Sequence, residues 1–433
     1  VCAACLGAQD APARDWSGLE GRKLTLEECL AIARENSPAL SKSQVGVQNA
    51  DAGVIQAWSN VLPKVRNWSG YTRYDDDRFY FTGAGGLERS NILYSTRFSV
   101  EQPLFEGGGN IAQISSARAG RRAAKSEYRN ARQDLNLLVQ TRYIDLLQAQ
   151  ALLEVRQETV DVSRQHVERA EAFYRAGEKT QADVLRAKVE LAQNELDLIT
   201  ARNSVRTARA SLAHALGIPV GINLDVADLA EPVTPYDADL ERDLEEAVEL
   251  HPLLKVREAS VEGAEADIGN AKSGRWPSIS AGWSYQWNDI RISQLRGEDH
   301  RWSENAEWSL QLSMSFNIFD GRLTKANIRR AEAGLAYARE DLEQSHADVL
   351  LGVKQAHLDL VEADEKIRAA GEAVRLAEED RRLQEERYRL GEGILIELKD
   401  ALVALTNARV SQVQAVYEYH LARARLDRAV GRE

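Results

Sequence analysis

The residues that could do chemistry in this chain are few and scattered. Seven histidines, His166, His214, His251, His300, His346, His357 and His420, stand singly, with no HExxH pair to hold a zinc ion. No GxSxG turn presents a nucleophilic serine and no Walker-type loop is there to cradle phosphate. The run Gly83-Ala84-Gly85-Gly86 lacks the strand-then-helix order that phosphate binding needs and reads as a loop tip. The acidic run Asp75 to Asp77 reads either as a cation site or, more simply, as a solvated extracellular turn. Cys2, Cys5 and Cys29 form neither a disulfide framework nor a zinc spacing. These absences point away from an enzyme and from any metal or other cofactor.

Composition narrows the class further. A formal charge of -12 argues against a nucleic-acid partner, because neutralising phosphates takes an excess of Lys and Arg. With 44% hydrophobic residues and only 9 Pro, most of the chain is expected to be helical. Val1 to Ala8 is small and apolar and reads as the end of a secretory signal peptide. Cys5, after Ala3 and Ala4, is a candidate lipidation site, set against ordinary cleavage nearby. No apolar run approaches the ~20 residues of a spanning helix, so any membrane-crossing part must be a β-barrel.

The elements that carry these residues come in duplicate. Pro38 and Pro252, Pro63 and Pro277, Phe105 and Phe319, Tyr174 and Tyr388, and Gly217 and Gly431 are each 214 positions apart. The expected organisation is an extension at 1–23, a first repeat at 24–217, a linker at 218–239 containing Pro219, Pro232 and Pro235, and a second repeat at 240–433. In each repeat a short helix stops before Pro38 or Pro252, and a second helix runs to Pro63 or Pro277. A β-hairpin follows at 65–103 or 278–318, then long coiled helices at 111–215 or 325–430.

The hairpins are read from period-two patterning. From Ala306 to Ile318, Trp308, Leu310, Leu312, Met314, Phe316 and Ile318 alternate with polar residues. Ile279, Ala281, Trp283, Tyr285 and Trp287 share one face upstream, and Tyr94, Thr96, Phe98 and Val100 do so in the first repeat. Such alternation also suits a soluble sheet with one face on a core. Clustered aromatics and strands of roughly 9 to 11 residues favour a lipid-facing barrel. The helices carry a seven-residue seam: Val184, Leu191, Leu198, Val205 and Leu212 in one repeat, and Leu398, Leu405, Gln412, Tyr419 and Leu426 in the other. The outgoing rods, free of Pro and roughly 95 Å long at ~1.5 Å per residue, need these return helices as partners. Four strands cannot close a barrel. Two copies give eight strands, a barrel that side chains nearly fill, whereas three give twelve and leave a lumen. The expected fold is therefore mainly α with membrane β-strands, a trimeric 12-stranded β-barrel continuous with an α-helical barrel.

The order of motifs resembles the TolC-like outer membrane efflux protein family. LTLEECLAIARENSPAL at 24–40 is similar to its N-terminal helix, QPLFEGGG at 102–109 and FNIFDGR at 316–322 to its strand-to-helix turns, and YRAGEKTQADVLRA at 174–187 and YRLGEGILIELKDA at 388–401 to its paired tips. The resemblance implies a homotrimer in the lipid of a Gram-negative outer membrane, with a twelve-helix periplasmic tunnel. Its partners would be a periplasmic adaptor (membrane fusion) protein and an inner-membrane transporter of RND or ABC type. It implies a periplasmic gate at Glu397 and Asp400, gate links at Tyr388 and Asp183, and adaptor-docking tips at Gly177, Glu178, Gly391 and Glu392. Gly393 stands where the family's best-studied member has a linking arginine, a departure that touches the latch. Three-fold symmetry would make rings of Glu397 and Asp400 that prefer cations, while two acids at a solvated helix start suit the helix dipole without any gate. The expected function is a passive exit duct of a tripartite efflux system. The alternatives are the duct of a type I secretion system and a periplasmic coiled-coil scaffold.

Overall fold

The computed structural model describes residues 16, 21–82, 86–177, 180–229, 239–290, 306–390, 392 and 394–432. The readings placed on Cys2, Cys5, Gly83 to Gly85, Glu178, Gly391 and Gly393 lie outside the described residues. The elements run β1 (Lys23–Leu24), α1 (Leu26–Asn36), α2 (Pro38–Ser59), β2 (Lys64–Thr82), β3 (Gly86–Glu106), α3 (Gly109–Arg175) and α4 (Gln181–Ala215). After β4 (Asp225–Val226) the order recurs as α5 (Leu240–Leu250), α6 (Pro252–Ser273), β5 (Ser278–Asp289), β6 (Ala306–Ser315), α7 (Leu323–Arg389) and α8 (Leu395–Val430). None of these helices is long and apolar enough to cross a membrane.

Local chemistry sets the boundaries. Thr25 and Glu28 form a reciprocal capping box at the start of α1, and Asp239 accepts the Arg242 N–H at the start of α5. Ser37 and His251, each before a proline, leave the helical region with ψ of 118° and 119° and end these helices.

The chain divides into two compact units. The first comprises Val1–Gln44, Glu127–Leu254 and Ser345–Glu433. Its core is the heptad seam: Val139, Leu146 and Val160 are buried with Leu198, Val205 and Leu212, and Val349, Ala356 and Ala363 with Leu398, Tyr419 and Leu426. Alanines such as Ala187, Ala401, Ala415 and Ala422, three residues after seam members, are buried too and let the helices approach closely. The segment read as a linker joins this core, with Ile218, Leu224 and Val226 buried and β4 pairing in parallel with β1. The Tyr143 hydroxyl donates to the Ala227 carbonyl at 2.6 Å and so fastens this small sheet to α3. Gly217 and Gly431 close α4 and α8 with φ of 72° and 90°, where a Cβ would come within 2.7 Å of the Asn36 carbonyl oxygen and 2.9 Å of the His251 Cα. Cys29 is buried in the same core, which pushes its thiol up to about 12 and leaves it inert.

The second unit comprises Val45–Ser126 and Lys255–Gln344. It holds a four-stranded antiparallel sheet of order β2-β3-β5-β6. Register puts Val65 and Tyr71 beside Val100 and Tyr94, Phe98 beside Tyr285, Val100 beside Trp283, and Trp283 and Tyr285 beside Leu310 and Trp308, all on one face. Trp308, Leu310, Leu312 and Met314 are 69%, 72%, 72% and 70% exposed, so along β6 this face is uncovered, whereas Trp287 at the far end of β5 is 1% exposed. Strand ends differ from expectation in two places. β6 stops at Ser315 rather than Ile318, because Asp320 already accepts the N–H and hydroxyl of Thr324 and begins the turn into α7. β2 and β3, at 19 and 21 residues, are about twice the expected length. Asp75 to Asp77 lie inside β2, at a register shift between Arg73 and Arg78, and not in a terminal turn. This bulge absorbs the break in alternation and lets the strand continue.

Candidate functional site

The two helix–turn–helix ends of the first unit carry the residues singled out above. In the first, Gly177 closes α3 in the left-handed region at φ 79°, its N–H donating to the Tyr174 carbonyl at 3.0 Å. Thr180 then takes extended dihedrals and starts α4. Its N–H and hydroxyl both donate to Asp183 Oδ2, at 3.1 and 2.9 Å. Arg186 lies 4.0 Å from the other oxygen of the same carboxylate. Asp183 is thus the helix's own cap.

The second end has the same backbone plan and different chemistry. Ile394 stands at the cap position with no side-chain hydrogen bond, and Glu397, the counterpart of Asp183, turns to Arg387 at 3.4 Å. Asp400 is exposed, as is its neighbour Lys399. Tyr388 is buried and meets the Phe173 ring edge-on, with centroids 6.1 Å apart. Its phenol is pushed up first by burial and then by the charge of Asp183, so the structure brings these two predicted link residues together. Tyr174, its counterpart in α3, is exposed. Glu392 is exposed, with its N–H donating to the Arg387 carbonyl at 3.0 Å.

Three features here were not found from sequence. Glu190 on α4 is half-buried beside Lys399 and Asp400 of α8. Burial raises its carboxyl, Lys399 opposes this and Asp400 adds to it. It lines a cavity of about 930 Å³ together with Val189, Asn194, Ile396, Lys399 and Val403. The second feature is a set of ion pairs within the second repeat and between the two repeats. Arg409 on α8 lies 2.7 Å from Glu158 on α3 and 3.2 Å from Glu378 on α7, and Arg169 on α3 lies 3.0 Å from Glu385 on α7. A signal existed at the 214 offset: Arg164 and Glu195, paired at 3.3 Å, become Glu378 and Arg409 with the charges exchanged. Third, Asp243 is 1% exposed, 3.1 Å from His357 Nδ1 and 2.9 Å from Arg432, so His357 belongs to a buried polar junction of α5 with α7 and the end of α8. Nothing in its spacing marks that role.

The two adjacent helix ends offer acids, cations and apolar surface, an electrostatic capacity. The outer membrane efflux protein family model matches residues 30–218 and again 244–432. Protein CyaE of Bordetella pertussis is 26% identical over 344 residues, covering 78% of this chain and 69% of that protein. The outer membrane protein TolC of Escherichia coli is 22% identical over 413 residues, covering 92% and 80%. Among solved structures, the outer-membrane channel OprN superposes with a TM-score of 0.81 at 21% identity, over 94% of this chain and 90% of that one.

Proposed function

The chain belongs to the outer membrane efflux protein family, and on that premise we propose that three copies close one twelve-stranded barrel in the outer membrane, continuous with a twelve-helix periplasmic tunnel. Membership makes it an efflux channel of a Gram-negative outer membrane with a large periplasmic helical part, in a family of channel proteins. The scaffold and secretion alternatives are not favoured. The observation that carries the trimeric reading is the sheet of the second unit. Its edges β2 and β6 have no strand partner among the described residues, and its apolar face is exposed. In lipid an open edge leaves backbone groups unsatisfied, so neighbouring copies must supply the pairing.

Within that assembly the two repeats, 24–217 and 240–433, form equivalent parts of the wall. Glu397 and Asp400 form the acidic constriction, and Tyr388 with Asp183 holds the second helix end against the first. The tips that carry Gly177 and Glu392 dock a periplasmic adaptor, which joins the duct to an inner-membrane pump of RND or ABC type. The duct hydrolyses nothing itself and passes what the pump delivers. Chemical crosslinking of detergent-purified protein should stop at a trimer, and planar bilayers should record discrete channels. A monomer without conductance would overturn the reading.

A further inference from the structure

The sheet face opposite the apolar one is paved mainly with short side chains. Ser99, Ser284 and Ser309 stand opposite one another across β3, β5 and β6, and Ser280 stands opposite Ser313. The hydroxyls of Ser284 and Ser309 are 3.0 Å apart, and those of Ser280 and Ser313 are 2.7 Å apart. Further along, Gly70 faces Ser95. Between the Ser99 and Gly70 levels lies a row of long side chains, with Trp68 on β2 opposite Arg97 on β3, Arg97 opposite Gln286 on β5, and Gln286 opposite Glu307 on β6, while on the other side of the Ser99 level Lys64, Glu101 and Gln311 form another, where Arg66 lies 3.7 Å from Glu101.

Two members of the Trp68 row are shaped for a ligand. Trp68 is 59% exposed on a mainly polar face, and its ring lies along the strand over Gly70, where a Cβ would come within 2.5 Å of it. The missing side chain at Gly70 leaves room for the ring to lie flat. Arg97 Nε donates to Gln286 Oε1 at 2.9 Å, and Nη2 donates to the same oxygen. Among the described residues it has no carboxylate partner, so the amide fixes the guanidinium without neutralising it. The strands of Trp68 and Arg97 are neighbours, ~4.8 Å apart.

We infer that this row is a solute contact on the inner wall of the barrel, with a preference for planar aromatic anions. The inference rests on the trimeric barrel proposed above. The aromatic ring of the solute stacks on Trp68, and its carboxylate or sulfonate takes the N–H groups of Arg97 not used by Gln286. Three copies place three such pairs at one level of the wall. Glu307, two strands beyond Arg97, carries the opposite charge, so the preference comes from the cation being next to the indole.

The test uses single channels of the full-length protein in planar bilayers, with 1-naphthoate as the probe and 1-naphthylmethylammonium as its cationic counterpart. Naphthoate should interrupt the KCl current with a concentration dependence that Trp68→Ala weakens about fivefold to tenfold and Trp68→Phe largely preserves. Arg97→Gln should remove the preference for naphthoate over the ammonium compound. Block unchanged in Trp68→Ala and Arg97→Gln channels of normal KCl conductance overturns this inference alone. Failure of the unsubstituted protein to conduct KCl overturns the barrel reading and the inference with it.

Discussion

The two helix ends, 174–187 and 388–401, share a backbone plan and use it in different ways. In the first, Thr180 and Asp183 bind each other, and the acid is consumed in starting its own helix. In the second, Ile394 cannot cap, Glu397 pairs with Arg387 on the preceding helix, and an exposed Asp400 stands where Arg186 stands in the first repeat. Tyr174 is exposed while Tyr388 is buried against Phe173. Duplication therefore supplied two equal ends, and substitution at cap positions turned one into a fixed end and the other into an end with spare carboxylates.

The largest effect expected from breaking this asymmetry is on conductance. Replacing Glu397 and Asp400 together by Ala should raise single-channel conductance severalfold and reduce cation preference, whereas Asp183→Ala alone should change selectivity little. Equal selectivity changes in the two variants would remove the distinction drawn between the ends. Next comes the cap. Thr180→Ile gives the first end the second's residue and should cost about 1 kcal/mol locally, read as faster amide exchange over 181–187. Ile394→Thr should slow exchange at the start of α8, and no change in either variant would show the caps to be idle.

The smallest expected effect is in acid. His251 is buried beside Arg428 and accepts the Leu253 N–H at Nδ1, so its ring is held neutral down to about 4 from an ordinary value of 6.5. The unfolded chain takes up that proton first, so stability is lost as pH falls through this window. Its counterpart in the first repeat is Ser37, which does not titrate. Amide protection factors, taken relative to the intrinsic exchange rate at each pH, should therefore fall around α5 and the start of α6 between pH 6.5 and 4, but not around α1 and α2. His251→Gln should abolish the difference.

Much of this fold was legible because period and punctuation survive in one dimension. The seam at every seventh residue, the prolines that stop α1 and α5, and the glycines that close α4 and α8 all act locally. The length of β2 was hidden because the bulge at Asp75 to Asp77 interrupts the alternation that marks a strand. At the candidate site, Glu397, Asp400, Tyr388 and Asp183 were named from the family resemblance, and the charge of Asp183 acts on the Tyr388 phenol. Glu190 and the Arg409–Glu158 bridge could not be read from sequence, because they depend on the rotational phase of one coiled pair relative to the other. Spacing within a helix does not encode that phase. His357 was missed for the same reason, since its partner Asp243 is 114 residues away.

The paired strands β2 and β3 have a consequence outside the cell wall. At ~3.3 Å per residue a 19-residue strand is roughly 60 Å long, and tilted by about 40° it still rises far above the ~25 Å apolar band of a bilayer. In the trimer proposed above, each copy would hold a β-ribbon of this length clear of the bilayer, like a mast, as the part of the duct most open to the outside.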